Sequence, residues 1–375
     1  MKKYLIGILA VLALASCGQK KGLPLIPEKN FADSLAGREV KLYTLHRGDI
    51  TLQVTNYGAR VVSLFTPDRE GKFADIVAGH KTLAEYVNPT GERYLGACVG
   101  PVANRIGGAS FEIDGELFET PKNDNGVNTL HGGEFGLDKV VWDVFTYSSD
   151  TIIFEYDRPD GQDGFPGNLH VTLLYMLNEH NELVIRYLAN TDKVTPVNLS
   201  HHSFFNLAGE DAGSIEGHLM WIDADAYTPI DSLSIPTGEI LPVEDTPFDF
   251  RQEHAIGEMI AADDPQIACA NGYEHNWVLN GEAGTLREVV TVYEPESGRM
   301  LTVSTDQPGM QMYSGNFFDG ATTIGKRGKP LGFRSSFVLE AQKFPDSMNH
   351  PDFTDILLYP DEDYTQTTVY EFSVR

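Results

Sequence analysis

Short, β-rich runs separated by turn formers recur along this chain from residue 31 onward, and they limit its fold more than any other feature. They fall at residues 40–45, 50–56, 60–65, 151–156, 170–177, 183–189, 302–304 and 311–313. Asp-Gly pairs at 114–115 and 160–161 mark tight turns between some of them. Helical periodicity is scarce, and residues 82–86 and 254–260 are the best short helix candidates. Residues 367–374 alternate like a strand and predict a paired closing strand rather than a loose end. Many short strands over more than 300 residues, with no convincing linker, predict one large all-β domain over 31–375, a sandwich or barrel.

The segment NLSHHSFFNLAG (198–209) holds the densest set of chemically capable side chains. Two adjacent histidines, His201 and His202, sit in a strand-like run with Leu199, Phe204, Phe205 and Leu207. Neighbouring side chains on a strand point to opposite faces, so only one of the two can line a given surface. If the strand borders a pocket, the other histidine faces the packing side or solvent. A histidine in a strand is commonly a hydrogen-bonded structural residue, so the pair alone does not define a site.

Charge narrows the partners. With 54 acidic against 28 basic residues the formal net charge is -26, which argues against nucleic acid, anionic membrane surfaces and phosphorylated substrates. Neutral ligands are untouched by that argument. Hydrophobic residues make up 41%, enough for a sizeable core.

The N-terminus reads as an export signal. Met1-Lys2-Lys3 is followed by an apolar run to Ala15, too short to span a bilayer comfortably. It ends in Leu14-Ala15-Ser16-Cys17, which resembles the lipobox of bacterial lipoproteins. That resemblance implies a signal peptide over 1–16 and lipid attachment at Cys17, with several acyl chains holding the protein to a bilayer. Residues 17–30 then read as the lipidated cysteine and a flexible tether, rich in Gly, Pro and Lys. Gly18 after the cysteine favours the outer membrane, facing the periplasm or the cell surface, by resemblance to lipoprotein sorting rules. The remaining cysteines, Cys98 and Cys269, stand far apart and are expected to be unpaired, buried thiols.

Four further places put polar groups in β-rich or Gly-rich surroundings. They are Asn104-Arg105 before a Gly-Gly bend, His131 before another, Glu274-His275 beside Trp277, and Glu340 at the end of the apolar run Phe337-Val338-Leu339. A Glu abutting three apolar residues either swings to solvent or is buried with a partner. No HExxH or CxxC spacing, GxSxG elbow, Walker loop or GxGxxG fingerprint occurs. What survives is a Glu/His proton-transfer pair with Arg and His as hydrogen-bond donors. Phe204, Trp277 and Tyr313 would suit the apolar face of a sugar ring. From the residues alone the choice stays open between an acid–base enzyme and a binder of a neutral polyol.

Eight ordered motifs carry a resemblance. NRIGGASFEIDG (104–115), NTLHGGEFGLDKVVW (128–142), DGFPGNL (163–169), NLSHHSFFNLAG (198–209), TPFDFR (246–251), GYEHNWVL (272–279), QPGMQMYSGNFFDG (307–320) and LEAQKFPDSMNHP (339–351) resemble the aldose 1-epimerases, the galactose mutarotases. The similarity runs from about residue 38 to the C-terminus. It implies a single-domain β-supersandwich of the galactose-mutarotase type, no cofactor or metal, and interconversion of the α and β anomers of a free aldose such as galactose or glucose. By resemblance Glu340 is the general base on the C1 hydroxyl and His202 the general acid on the ring oxygen. Arg105, Asn104, His131, Glu274 and Gln311 are the implied sugar contacts, while His201 takes a structural or rim role. A monomer or weak dimer is expected.

Glu274 departs from the family, which usually has Asp there. The extra methylene puts sugar preference in question at this position, unless the backbone sits back to compensate. The competing reading is a carbohydrate-binding lipoprotein of the same fold that lost catalysis. Joint retention of Glu340, His202, His131 and Arg105 speaks against it, because a binder has no need of an acid–base pair. A relative acting on phosphorylated hexoses would need a cation cluster, and few lysines lie near these motifs.

Overall fold

The computed structural model describes residues 22–375; the expected signal peptide, Cys17 and the first part of the tether lie outside the described residues. Antiparallel strands dominate, as the recurrent short runs predict. The largest sheet has nine strands in the order Asp143–Tyr147, Thr151–Arg158, Leu169–Leu177, Glu182–Thr191, Tyr364–Val374, Arg299–Thr305, Arg287–Tyr293, Leu219–Ile222 and His254–Ala255. A six-stranded sheet runs Phe204–Phe205, Phe337–Gln342, Gly309–Tyr313, Glu274–Leu279, Ala224–Thr228 and Leu241–Pro242. A four-stranded sheet of Leu42–Arg47, Ile50–Thr55, Arg60–Pro67 and Phe73–Asp75 completes the large layers among the described residues.

Burial follows the pleat. In Leu169–Leu177 every second residue is buried, and the buried set (Leu169, Val171, Leu173, Tyr175, Leu177) enters the same core as Leu52, Ile185, Val303, Met310 and Leu339. Each fully buried Leu or Val contributes about 1.5–3 kcal/mol of transfer free energy. The six-stranded sheet differs, because Phe337–Gln342 is buried on both faces. Phe337, Leu339 and Ala341 face the core, which turns Glu340 to the opposite side. That parity creates the site described below.

Turn chemistry explains several boundaries. Asp114 and Gly115 both have positive φ (52° and 83°), the requirement of a two-residue hairpin turn, and Ile113 pairs with Glu116 across it. Thr82 caps the helix Leu83–Val87 in a reciprocal capping box with Glu85, close to the expected 82–86. The closing strand lies inside the nine-stranded sheet, between Glu182–Thr191 and Arg299–Thr305.

Three expectations are corrected. Residues 254–260 form no helix: His254–Ala255 pairs with Leu219 and Met220, and the N–H groups of Ile256 and Gly257 donate to His218 and Glu216 carbonyls. The helix lies at Pro265–Ala270, capped by Asp264 with proline at its first position. The tether reading of 17–30 runs too far, since Gln53 bonds both the N–H and the C=O of Ile26, and Glu28–Asn30 forms a 3-10 turn. Finally, Cys98 and Cys269 are both free, but only Cys98 is buried; Cys269 is exposed on the Pro265–Ala270 helix.

Candidate active site

Three strands of the six-stranded sheet supply the floor. Glu340 pairs across the ladder with Gln311, and Gln311 with Asn276 on the next strand. Glu274 lies opposite Tyr313. Met310 and Met312 enter the core, so Gln311 and Tyr313 take the face shared with Glu340.

The histidine strand approaches separately. Ser200–His202 pairs with Ala97–Val99, with His201 opposite Cys98 and His202 opposite Ala97. His201 turns inward, where Nε2 lies 2.6 Å from Ser203 Oγ and Nδ1 3.3 Å from the Tyr175 hydroxyl. His202 turns the other way, and its Nε2 lies 3.6 Å from Glu340 Oε1. The strand alternation thus assigns the two histidines to opposite faces as expected.

A third group comes from two tight bends. Arg105–Ile106 pairs with Thr129–Leu130, which sets Asn104 beside His131. Both have left-handed backbone, φ 60° and 50°. The His131 N–H donates to the Asn104 carbonyl at 2.9 Å, and the Asn104 N–H donates back to His131 Nδ1 at 3.1 Å. The next residue, Gly132, lies against the Gly100 carbonyl oxygen, which a Cβ there would meet at 2.0 Å.

These residues line one cavity of about 560 Å3: Asn104, Arg105, His131, His202, Glu274, Gln311 and Glu340 all face it. The structure therefore brings together every sugar-site residue expected from the sequence. Of the three aromatics considered for the sugar face, only Tyr313 lines the cavity. Trp277 is in the core, its Nε1–H donating to the Phe248 carbonyl, and Phe204 is fully buried behind His202. Sequence reasoning missed Tyr94, Glu92 and Asp124 on the wall and Phe317, Leu233 and Cys269 nearby. The exposed Phe317, stacked on Tyr313, was signalled only by its position in the 307–320 motif.

Arg105 is held by two carboxylates, Asp124 at 3.0 Å from Nε and Glu274 at 2.9 Å from Nη1. Burial opposes its charge, but the two carboxylates outweigh that and hold the guanidinium protonated. Burial also shifts His202 and Glu340 in opposite directions. It pushes His202 down to about 3, aided by the Arg60 guanidinium, and Glu340 up to about 8, aided by the Glu274 charge. His131 is held well below its ordinary value by burial and by His202. It is neutral, and since Nδ1 accepts the Asn104 N–H, its proton sits on Nε2.

That tautomer bears on metals. His131, His202 and Glu340 offer donor atoms within 4.8 Å of one another, a spacing a cation could use. A protonated Nε2 is a hydrogen-bond donor and not a lone pair, so the trio suits hydroxyl oxygens better than a metal ion. Within the cavity Glu274 Oε2, Gln311 Oε1, Glu340 Oε2 and His202 Nδ1 are buried without a protein partner. Buried polar atoms of this kind are costly unless a ligand completes them.

A buried carboxyl–imidazole pair on the floor of a polar cavity of about 560 Å3, carried by a β-supersandwich, fits an isomerase that works by proton transfer on a sugar ring. Comparison with known proteins agrees. The family profile "Aldose 1-epimerase" matches residues 41–371. The chain is 40% identical over 340 residues to galactose mutarotase of Bos taurus, covering 91% of this chain and 96% of that one. It is 34% identical over 339 residues to aldose 1-epimerase of Escherichia coli strain K12, covering 90% and 96%. The solved aldose epimerase homologue from C. elegans superposes with a TM-score of 0.81 at 27% identity, over 89% of this chain and 99% of that one. The chain belongs to the aldose 1-epimerase family, and interconversion of aldose anomers is its reaction.

Proposed function

We propose that His202 and Glu340 are the general acid and general base of this reaction, acting on free hexoses such as galactose and glucose. The observation that carries the assignment is the 3.6 Å approach of His202 Nε2 to Glu340 Oε1 inside a buried cavity. Glu340 takes the proton of the C1 hydroxyl while His202 Nε2–H gives one to the ring oxygen. The C1–O5 bond breaks, its electron pair ends on O5, and C1 becomes a carbonyl. Rotation about C1–C2 and closure on the other face reverse both transfers. Arg105, Asn104, His131, Glu274 and Gln311 hold the sugar hydroxyls and keep the reacting end in place.

One proton serves the pair throughout. Neutral His202 with protonated Glu340 has the same proton count as the ion pair, so the two differ only in where that proton sits. Burial favours the neutral form, with Glu340 near 8 and His202 near 3. That form is also what ring opening leaves behind. The resting enzyme is thus set for ring closure, and a bound cyclic sugar must draw the proton onto His202.

The N-terminal motif supports attachment of the exported protein to a bacterial membrane through acylated Cys17, the outer membrane being favoured. Replacement of Cys17 by Ser should abolish incorporation of labelled fatty acid and release the protein from the membrane fraction. Retained labelling would end that reading.

The decisive experiment is polarimetry of freshly dissolved α-D-galactose and α-D-glucose with the full chain beside Glu340→Gln. Accelerated mutarotation that is lost in the variant supports the assignment and ranks the sugars. Turnover retained by Glu340→Gln would remove Glu340 as the base. No acceleration of either sugar by the folded wild-type chain would point to a different aldose or to binding alone.

A further inference from the structure

Tyr94 is the aromatic residue of the cavity wall that stands against both histidines. Its ring centroid lies 4.5 Å from that of His131 in an edge-on arrangement and 5.8 Å from that of His202. The two imidazoles are themselves 5.1 Å apart and nearly perpendicular, so the three rings form one packed group. The far side of His202 is closed by Phe204 at 5.0 Å. An imidazole enclosed by these three rings has little freedom to turn about its side-chain torsions.

The backbone around Tyr94 fixes the ring in turn. Its N–H donates to Glu92 Oε1 at 2.8 Å, and its carbonyl accepts the Ala97 N–H at 3.0 Å. Ala97 is the residue paired with His202, and the Gly96 N–H donates to the His202 carbonyl. Tyr94 and His202 are therefore anchored to one short stretch of main chain. Independently, the Tyr94 hydroxyl is buried and has no partner in the protein, although the residue is only 5% exposed and lines the cavity. A phenol in such a place normally finds a partner, and packing alone would be served as well by phenylalanine.

We propose that Tyr94 is a positioning residue for the anomer exchange: its ring holds His202 and His131 in their working orientations, and its hydroxyl is completed by a hydroxyl of the bound sugar. The inference rests on the assignment of His202 as the acid. Ring and hydroxyl have separable effects. Loss of the ring lets His202 turn, and displacement of a catalytic group by about 1 Å costs on the order of 10²-fold in rate. Loss of the hydroxyl alone removes one neutral hydrogen bond, worth about two- to tenfold in affinity.

The test compares Tyr94→Phe and Tyr94→Leu with wild type in the full chain by polarimetry, with thermal unfolding recorded for each and Glu340→Gln run alongside. Tyr94→Phe is expected to keep kcat within about twofold and raise KM about two- to tenfold. Tyr94→Leu is expected to lower kcat on the order of 10²-fold, so that Phe rescues kcat but not KM. A wild-type kcat in Tyr94→Leu would overturn the positioning role. An unchanged KM in Tyr94→Phe would overturn the role of the hydroxyl, and that variant decides the matter even if Tyr94→Leu does not fold. If Glu340→Gln stays active the acid–base assignment fails instead, a result distinct from either.

Discussion

Glu274 Oε1 lies 2.9 Å from Arg105 Nη1, while Glu274 Oε2 is buried without a protein partner. The Glu274 side chain thus reaches the guanidinium with one oxygen and leaves the other without a protein partner. Arg105 spans Glu274 and Asp124 with two different nitrogens, a fork that a lysine cannot reproduce. Arg105→Lys should lower kcat/KM about tenfold to a hundredfold, from the loss of one charge-assisted bond worth about 1.5–3 kcal/mol. Glu274→Asp should lower it on galactose, because the shorter side chain must give up either Arg105 or the sugar. Steady-state polarimetry on both variants checks this, and unchanged values would mean that the backbone moves to compensate.

The proton count of the His202–Glu340 pair sets the pH profile. The free enzyme needs one shared proton, which is present between the low value of His202, about 3, and the high value of Glu340, about 8. A plot of kcat/KM against pH should stay level through pH 6.5 and fall as pH rises through about 8. An acid limb near 6.5 would show instead that His202 titrates as an exposed imidazole does.

Stability should follow the same carboxyl with a definite sign. Glu340 holds its proton more tightly folded, about 8, than the ordinary 4.5 of the unfolded chain. The folded state therefore binds the extra proton between those values, and stability is lost as pH rises from 4.5 toward 8. Glu340→Gln removes that loss. Chemical denaturation should find the variant more stable than wild type above pH 8, on the order of a few kcal/mol, with the difference closing below pH 4.5. Equal curves at pH 9 would mean that Glu340 is not desolvated.

His201 offers the contrasting case. It is buried against Tyr175 and Ser203 on the core side of its strand. His201→Asn should leave kcat within about twofold and cost about 1–2 kcal/mol of stability through a weakened buried hydrogen bond. A kinetic loss as large as that of a His202 variant would contradict the strand register.

Much of this site was legible because strand parity is a strong rule. Alternation alone separated His201 from His202, and one carboxylate in an apolar run marked Glu340. The same rule places Trp277 in the core, since it alternates with Asn276 and shares the parity of Leu279, but the aromatic composition of the segment was read as sugar-facing. Tyr94 and Asp124 could not be found locally. Tyr94 meets His202 across 108 positions of sequence, and Asp124 earns its role only through Arg105. The turn at 254–260 imitates a helix because Ile256 and Ile260, four positions apart, both enter the core from irregular backbone. Cys269 was expected inside, but on a short helix lining the cavity it faces out.

Tyr364–Val374 occupies the middle of the nine-stranded sheet. The two halves of that sheet are joined by a strand that follows both of its neighbours in the chain, so neither seam can be sealed until that strand has been made. Until then Glu182–Thr191 and Arg299–Thr305 each present an open hydrogen-bonding edge, the kind that invites pairing with another chain. Deleting Tyr364–Val374 would therefore leave a split sheet rather than a shortened one.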